Sequence, residues 1–269
     1  MSLDKDLLVD AVLASGVVLP APGPGFLRLR AVAADEDAGP REMAQAVAQD
    51  PAITGALLRV ASSPVFRPRS APRSAQEAIA MLGRTRSLAT AASVALKAQS
   101  EGLDPRVVDA VWAGCARAAE YSFAVARAAR LGPLADTAYL AALMQDAGIA
   151  VVLRRTPRHG ALLDGDGPTL EAGARALDAL SGTHHAAAGY LVARNWKLPG
   201  NVCEAIRAHH DPRLARRLGD DARRLVLLLA AGRRVRDGVS PDWVDWADDV
   251  AATLGLTETD LDALAGDAR

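Results

Sequence analysis

The run Ala141–Leu153, AALMQDAGIAVVL, is apolar along its whole length except for the adjacent pair Gln145 and Asp146. A helix of this composition has no polar face to offer solvent, so it belongs inside a bundle of other helices with its polar pair in the interior. The rest of the chain can supply such a bundle. Alanine and leucine provide most of a hydrophobic content of 50%, whereas aromatic residues make up 4%. That balance favours close-packed helices over sheets, which draw on β-branched and aromatic side chains. The expected fold is all-α, a helical bundle, and 269 residues are ample to bury its core.

Local signals place the helices. Leu7, Leu8, Ala11 and Val12 recur at helical spacing in a short lead-in helix, Asp4 to Ala14. Prolines and glycines in LPAPGPGF (Leu19 to Phe26) then impose an extended segment. Helices are expected from Pro24 to Ala34, on either side of Asp50-Pro51, from Ser74 to a stop at Gly83, and from Arg84 to Gln99. Asp50 suits a cap and Pro51 a first helical position, and Ser74-x-x-Glu77 has the form of a capping box. Asp104-Pro105 opens a long helix that ends near Gly132, and Leu134 to Leu153 forms the apolar one. Further helices follow at Leu170–Leu180, Asp220–Arg236, Pro241–Leu254 and Glu258–Ala265.

Charge and motifs narrow the function. The 31 basic and 32 acidic side chains cancel, so no global field draws the protein to nucleic acid or to an anionic membrane, and neither partner is expected. The most basic loop, PVFRPRSAPRS with Arg67, Arg69 and Arg73, reads as a solvated, proline-stiffened connection, or as a loop that meets phosphate. Cys115 and Cys203 are isolated and apolar-flanked, which suits buried free thiols in a reducing compartment. The start MSLDKDLLVD lacks the basic-then-apolar order of a signal peptide. Apolar runs such as Leu225–Ala231 fall short of the roughly 20 residues that cross a bilayer, so a cytoplasmic location is expected. No nucleophile elbow, phosphate-binding glycine loop, HExxH or dinucleotide fingerprint is present.

Several ordered blocks resemble one family. The Leu19-Pro20 segment, QDPAITGALLRVASS, the basic loop and AQEAIAMLG are followed by Gln145-Asp146, then His184-His185, Gly189, WKLP (Trp196 to Pro199) and His209-His210. Together they resemble, from Leu19 to about Pro212, the HDOD family, the HD-related output domains of bacterial signalling proteins. The resemblance implies an N-terminal helical part, 19–100, packed on a degenerate HD-like bundle, 101–269, with 1–18 as lead-in.

In the HD phosphohydrolases related to this family, histidines and aspartates from separate helices hold metal. The resemblance puts one ligand histidine just after Trp112, where this chain has Ala113, Gly114 and Cys115, and a His-Asp pair where it has Gln145-Asp146. Active relatives also often carry a lysine at the place of Ala150. A glutamine carbonyl is a poor substitute for imidazole at a borderline metal. The resemblance therefore implies a non-enzymatic signal-transduction module that binds a signalling protein, with no cofactor and no metal. If a metal were held, its ligands would be Asp146, His185, His209 and His210. Two alternatives stay open. One is a sensor that binds a nucleotide or cyclic-dinucleotide messenger in the vestigial cavity, lined by Gln145, Asp146, His185, His209, His210, Arg67, Arg69, Arg84 and Arg86. The other is a divergent metal-dependent phosphohydrolase. The bland reading of the histidines is as hydrogen-bonded core or helix-end residues, with Asp211 capping the helix that starts at Pro212.

Overall fold

The structure is a computed structural model that describes residues 3–66, 68, 70–163 and 167–267, with backbone alone for 3–6, 167–169 and 267. Among the described residues there is no strand. The chain folds as two compact units, one of residues 21–99 and one of residues 1–20 with 100–269.

The 21–99 unit holds α2 (Pro24–Ala33), α3 (Pro40–Val47), α4 (Pro51–Ala61) and α5 (Ala75–Ala98). Each of the first three starts on proline, whose missing N–H costs nothing at that position. Asp50 caps α4 by accepting the Ile53 N–H at 3.0 Å. Ser74 accepts the Glu77 N–H at 3.1 Å, while the Glu77 carboxylate reaches back to the N–H of Arg73 instead of Ser74. Gly83 interrupts α5 with φ +74°, a conformation open to glycine and strained for other residues. Directly after it, Arg84 donates to the carbonyls of Ala33 and Asp35, to Glu36 at 3.2 Å and to Ala38 at 3.0 Å. This one guanidinium pins the α2–α3 connection. Arg84→Ala is expected to cost about 2 kcal/mol, the range for hydrogen bonds from a charged donor, and to speed amide exchange across residues 35–39.

In the larger unit, α1 (Leu3–Ala14) packs on α10 (His185–Asn195) and so belongs to this bundle. Pro20, where the chain leaves the unit, offers its carbonyl to the fully buried Trp196 indole at 2.8 Å. That bond joins the Leu-Pro segment to the WKLP block. The other helices are α6 (Pro105–Ala128), α7 (Gly132–Met144), α8 (Ala147–Arg155), α9 (Gly167–Ser181), α11 (Gly200–Ala208), α12 (Pro212–Ala215), α13 (Asp220–Asp237), α14 (Val244–Leu254) and α15 (Glu258–Asp267). The core runs along α13, buried from Leu225 to Val235, which packs on α6, α7, α11 and α14. Cys115 and Cys203 are buried free thiols.

Two expectations are corrected. The apolar stretch is not one helix from Leu134 to Leu153. It breaks at Gln145-Asp146, where Asp146 has φ −99° and ψ 12°, and the chain turns from α7, packed on α6, α11 and α13, to α8, packed on α10. The span Gly132–Arg155 is also long and apolar enough to cross a bilayer, which the sequence reading did not expect; 78% of its most apolar window is buried in the fold, so its apolarity serves the core.

Candidate functional site

The break between α7 and α8 frees Asp146 to reach two further helices. His185 opens α10 and His209 closes α11, and both side chains are completely buried. Oδ1 of Asp146 lies 3.5 Å from Nε2 of His185 and 3.5 Å from Nε2 of His209, and the two Nε2 atoms are 3.4 Å apart. His210 stacks beside them, its ring 4.0 Å from that of His209. The ligand atoms of these four residues all fall within 4.8 Å of one another.

Each inner histidine is oriented from behind. Asp178 on α9 bonds Nδ1 of His185 at 2.8 Å and also accepts the His185 backbone N–H at 2.8 Å. The Ile206 carbonyl bonds Nδ1 of His209 at 2.6 Å. Nδ1 is thereby the protonated atom and Nε2 faces inward, the arrangement that outer partners impose on metal-ligating histidines. A point equidistant from Oδ1 and the two Nε2 atoms lies about 2.0 Å from each, the length of a zinc–imidazole bond. These three donors therefore fit one small divalent cation.

Electrostatics follow from burial and partners. Burial works against the Asp146 carboxylate, but the His209 imidazole and the charges of His185 and Arg236 hold it well below the ordinary range. Burial opposes protonation of His185 as well, and Asp178 more than offsets it, raising that histidine. Burial pushes His209 and His210 down, although Asp146 opposes the effect at His209.

The remainder of an HD centre is filled differently. Gln145 does not turn towards the histidines: its Oε1 accepts from Nη1 of Arg233 at 3.2 Å, and Nη2 of the same guanidinium donates to the His209 carbonyl at 2.7 Å. Near the missing upstream histidine, Nη1 of Arg236 donates to the Gly114 carbonyl at 3.0 Å. The Cys115 thiol lies 4.0 Å from Oδ2 of Asp146, burial pushes its pKa far up, and it is not one of the four residues whose ligand atoms cluster. Glu171 closes the network, 3.6 Å from Arg233 and 3.4 Å from His210.

The structure thus brings together Asp146, His185, His209 and His210, with Gln145 at their edge. Arg84 and Arg86 lie in the 21–99 unit. The Arg84 guanidinium is committed there to backbone carbonyls, and that of Arg86 sits 4.7 Å over the Phe66 ring. Arg67 and Arg69 lie outside the described residues. Asp211 caps α12 through the Leu214 N–H at 2.9 Å. Sequence reading missed Asp178, Glu171, Arg233 and Arg236. One signal was available for the arginines: they end the apolar run RLVLLLAAGRRVRD, where a helix buried on all sides must bury charge too.

The HDOD domain profile matches residues 19–212. A search of curated proteins found none that matches. Among solved structures, a Shewanella amazonensis protein provisionally named a metal-dependent phosphohydrolase is 19% identical, with TM-score 0.70 and complete coverage of both chains. An HDOD domain protein of unknown function from Geobacter sulfurreducens is 21% identical, with TM-score 0.67 over 98% of this chain and 94% of that one. A Marinobacter aquaeolei protein, provisionally named for signal transduction, is 20% identical, with TM-score 0.68 over 99% of this chain and 63% of that one. Likeness at these identities speaks for the fold alone.

Proposed function

Because the chain belongs to the HDOD domain family, we propose that it is a non-catalytic signalling module that works by binding a partner protein. The observation that carries this reading is the pair of arginines from α13. Arg233 bonds Gln145, which stands in the place of the family's paired histidine, and Arg236 bonds the Gly114 carbonyl beside the place of the upstream one. Phosphohydrolysis needs a Lewis acid with an open position, which acidifies water and polarises phosphate. A guanidinium supplies charge and directed hydrogen bonds but has no coordination site, and it deprotonates far too weakly to generate hydroxide. The HD core is here consolidated by the protein's own cations.

One observation favours a second reading. The triangle of Asp146, His185 and His209, with Asp178 and the Ile206 carbonyl behind it, suits a single divalent ion. Bound there, such an ion would supply a Lewis acid and lower the pKa of water. Asp146 would hold it by charge, and Asp178 would keep the His185 ring aligned.

Elemental mass spectrometry of protein purified without chelator or immobilised nickel separates the two. The proposal expects metal well below one equivalent, little change in Asp146→Ala, and no phosphate released from nucleotides or cyclic dinucleotides. Near-stoichiometric manganese, iron or zinc that Asp146→Ala removes, together with turnover, would establish the hydrolase.

A further inference from the structure

We propose that the cleft bounded by α1, α10, α11 and α12 binds a phosphorylated small molecule of nucleotide size. This adds a small-molecule input to the module and stands whether or not the histidine cluster holds metal. The cleft encloses about 450 Å³, within the range of small-ligand sites.

Arg207, Arg213, Arg217 and His184 line it, with one acidic residue, Asp211; outside the cleft, Glu204 lies 3.7 Å from Arg207 and Asp178 lies 3.4 Å from His184. Asp211 is already engaged in capping α12. Close by in sequence, Arg216 and Arg223 both pair with Asp249. Arg213 and Arg217 have no ion-pair partner among the described residues. Two unpaired arginines beside one committed acid, with Arg207 lining the same cleft, make a site for an anion, and the flat fork of arginine matches phosphate oxygens.

Arg207 gives the site a fixed element. Its side chain is 10% exposed, with Nη1 3.7 Å from Glu204 and the guanidinium carbon 5.4 Å from the Tyr190 ring centre. Nη2 is shielded from solvent and has no acceptor. Ala186 and Ala187, in the first turn of α10, also line the cleft. Backbone N–H groups at that position lack intrahelical partners and favour an anion.

Part of the lining is apolar. Leu8 and Val9 of α1 and Leu214 of α12 face the cleft, which suits the organic part of a phosphate ester. His210 lines it as well, and its ring rests on His209. A ligand here therefore touches the end of the histidine stack that leads to Asp146.

Isothermal titration and thermal unfolding of the full chain in EDTA, with ADP, inorganic pyrophosphate and adenosine as probes, test this. ADP is expected to bind and raise Tm, pyrophosphate to bind more weakly, and adenosine to leave the protein unchanged. Arg213 and Arg217 are exposed, so the double variant Arg213→Ala/Arg217→Ala keeps the fold, to be checked by circular dichroism. It is expected to weaken ADP binding about tenfold or more, as is Arg207→Met. Failure of both ADP and pyrophosphate to bind, or equal binding to the double variant, would overturn the assignment. Binding of polyglutamate in their place would also overturn it, giving the cleft to an acidic protein segment.

Discussion

Arg233→Met is expected to lower the unfolding free energy by about 3–5 kcal/mol, the cost of removing one partner from a buried charged network. Arg233 is 8% exposed. Burial weakens its hold on a proton, and the charges of Glu171 and Asp146 oppose that effect. Its guanidinium supplies the hydrogen bonds to the Gln145 side chain and the His209 carbonyl and faces Glu171. Methionine fills much of the space and supplies none of these contacts, so two buried oxygens and a carboxylate lose their cation. Lysine should recover only part of the loss, because a point charge cannot fork to two acceptors. Urea unfolding followed by circular dichroism measures this as a lower midpoint at unchanged slope. A change within about 0.5 kcal/mol, the usual effect of a surface substitution, would show that α13 does not consolidate the centre through this side chain.

Gly148→Ala is expected to be at least as damaging, about 3 kcal/mol or more. A Cβ on Gly148 would lie 2.0 Å from the His185 carbonyl oxygen and 2.5 Å from the Gly189 nitrogen. Both obstacles are backbone, so no rotamer change relieves them. The α8–α10 crossing would have to open, and because His185 starts α10, the histidine would leave Asp146 as it did. Gly160→Ala is the matched control: its Cβ would meet only a Val107 methyl at 3.7 Å, an ordinary contact. That variant should stay within about 0.5 kcal/mol of the parent. Soluble yield, the unfolding midpoint and the histidine NMR signals follow both effects. A Gly148→Ala protein as stable as the parent would show that the two helices can separate freely.

Much of this fold was legible because helix starts are local events. Asp50-Pro51 and Ser74 cap or open helices where their chemistry predicts, since a capping oxygen needs only the N–H groups two or three residues ahead. Gly83 marks a break for the same reason, as its φ of +74° is a property of one residue. The histidine positions were readable too, as residues in a recognisable order, and the fold brings the ligand atoms of Asp146, His185, His209 and His210 within 4.8 Å of one another.

Periodicity could not reveal the break at Gln145-Asp146. The flanking residues all favour helix, and the turn forms because α8 has to reach α10 while α7 stays on α13. Nor could it show that α1 joins the larger unit, or that Asp178 stands behind His185, since those contacts depend on how distant helices cross.

The order of helices, their caps and the list of chemically capable residues are written in the chain, because each depends on neighbours a few positions away. Which of those residues meet, and which charge stands at the centre, was settled by packing. Arg233 and Arg236 read as ordinary arginines at a helix end until α13 is buried on all sides, and burial is what obliges a guanidinium to find Gln145, Gly114 and the end of α11.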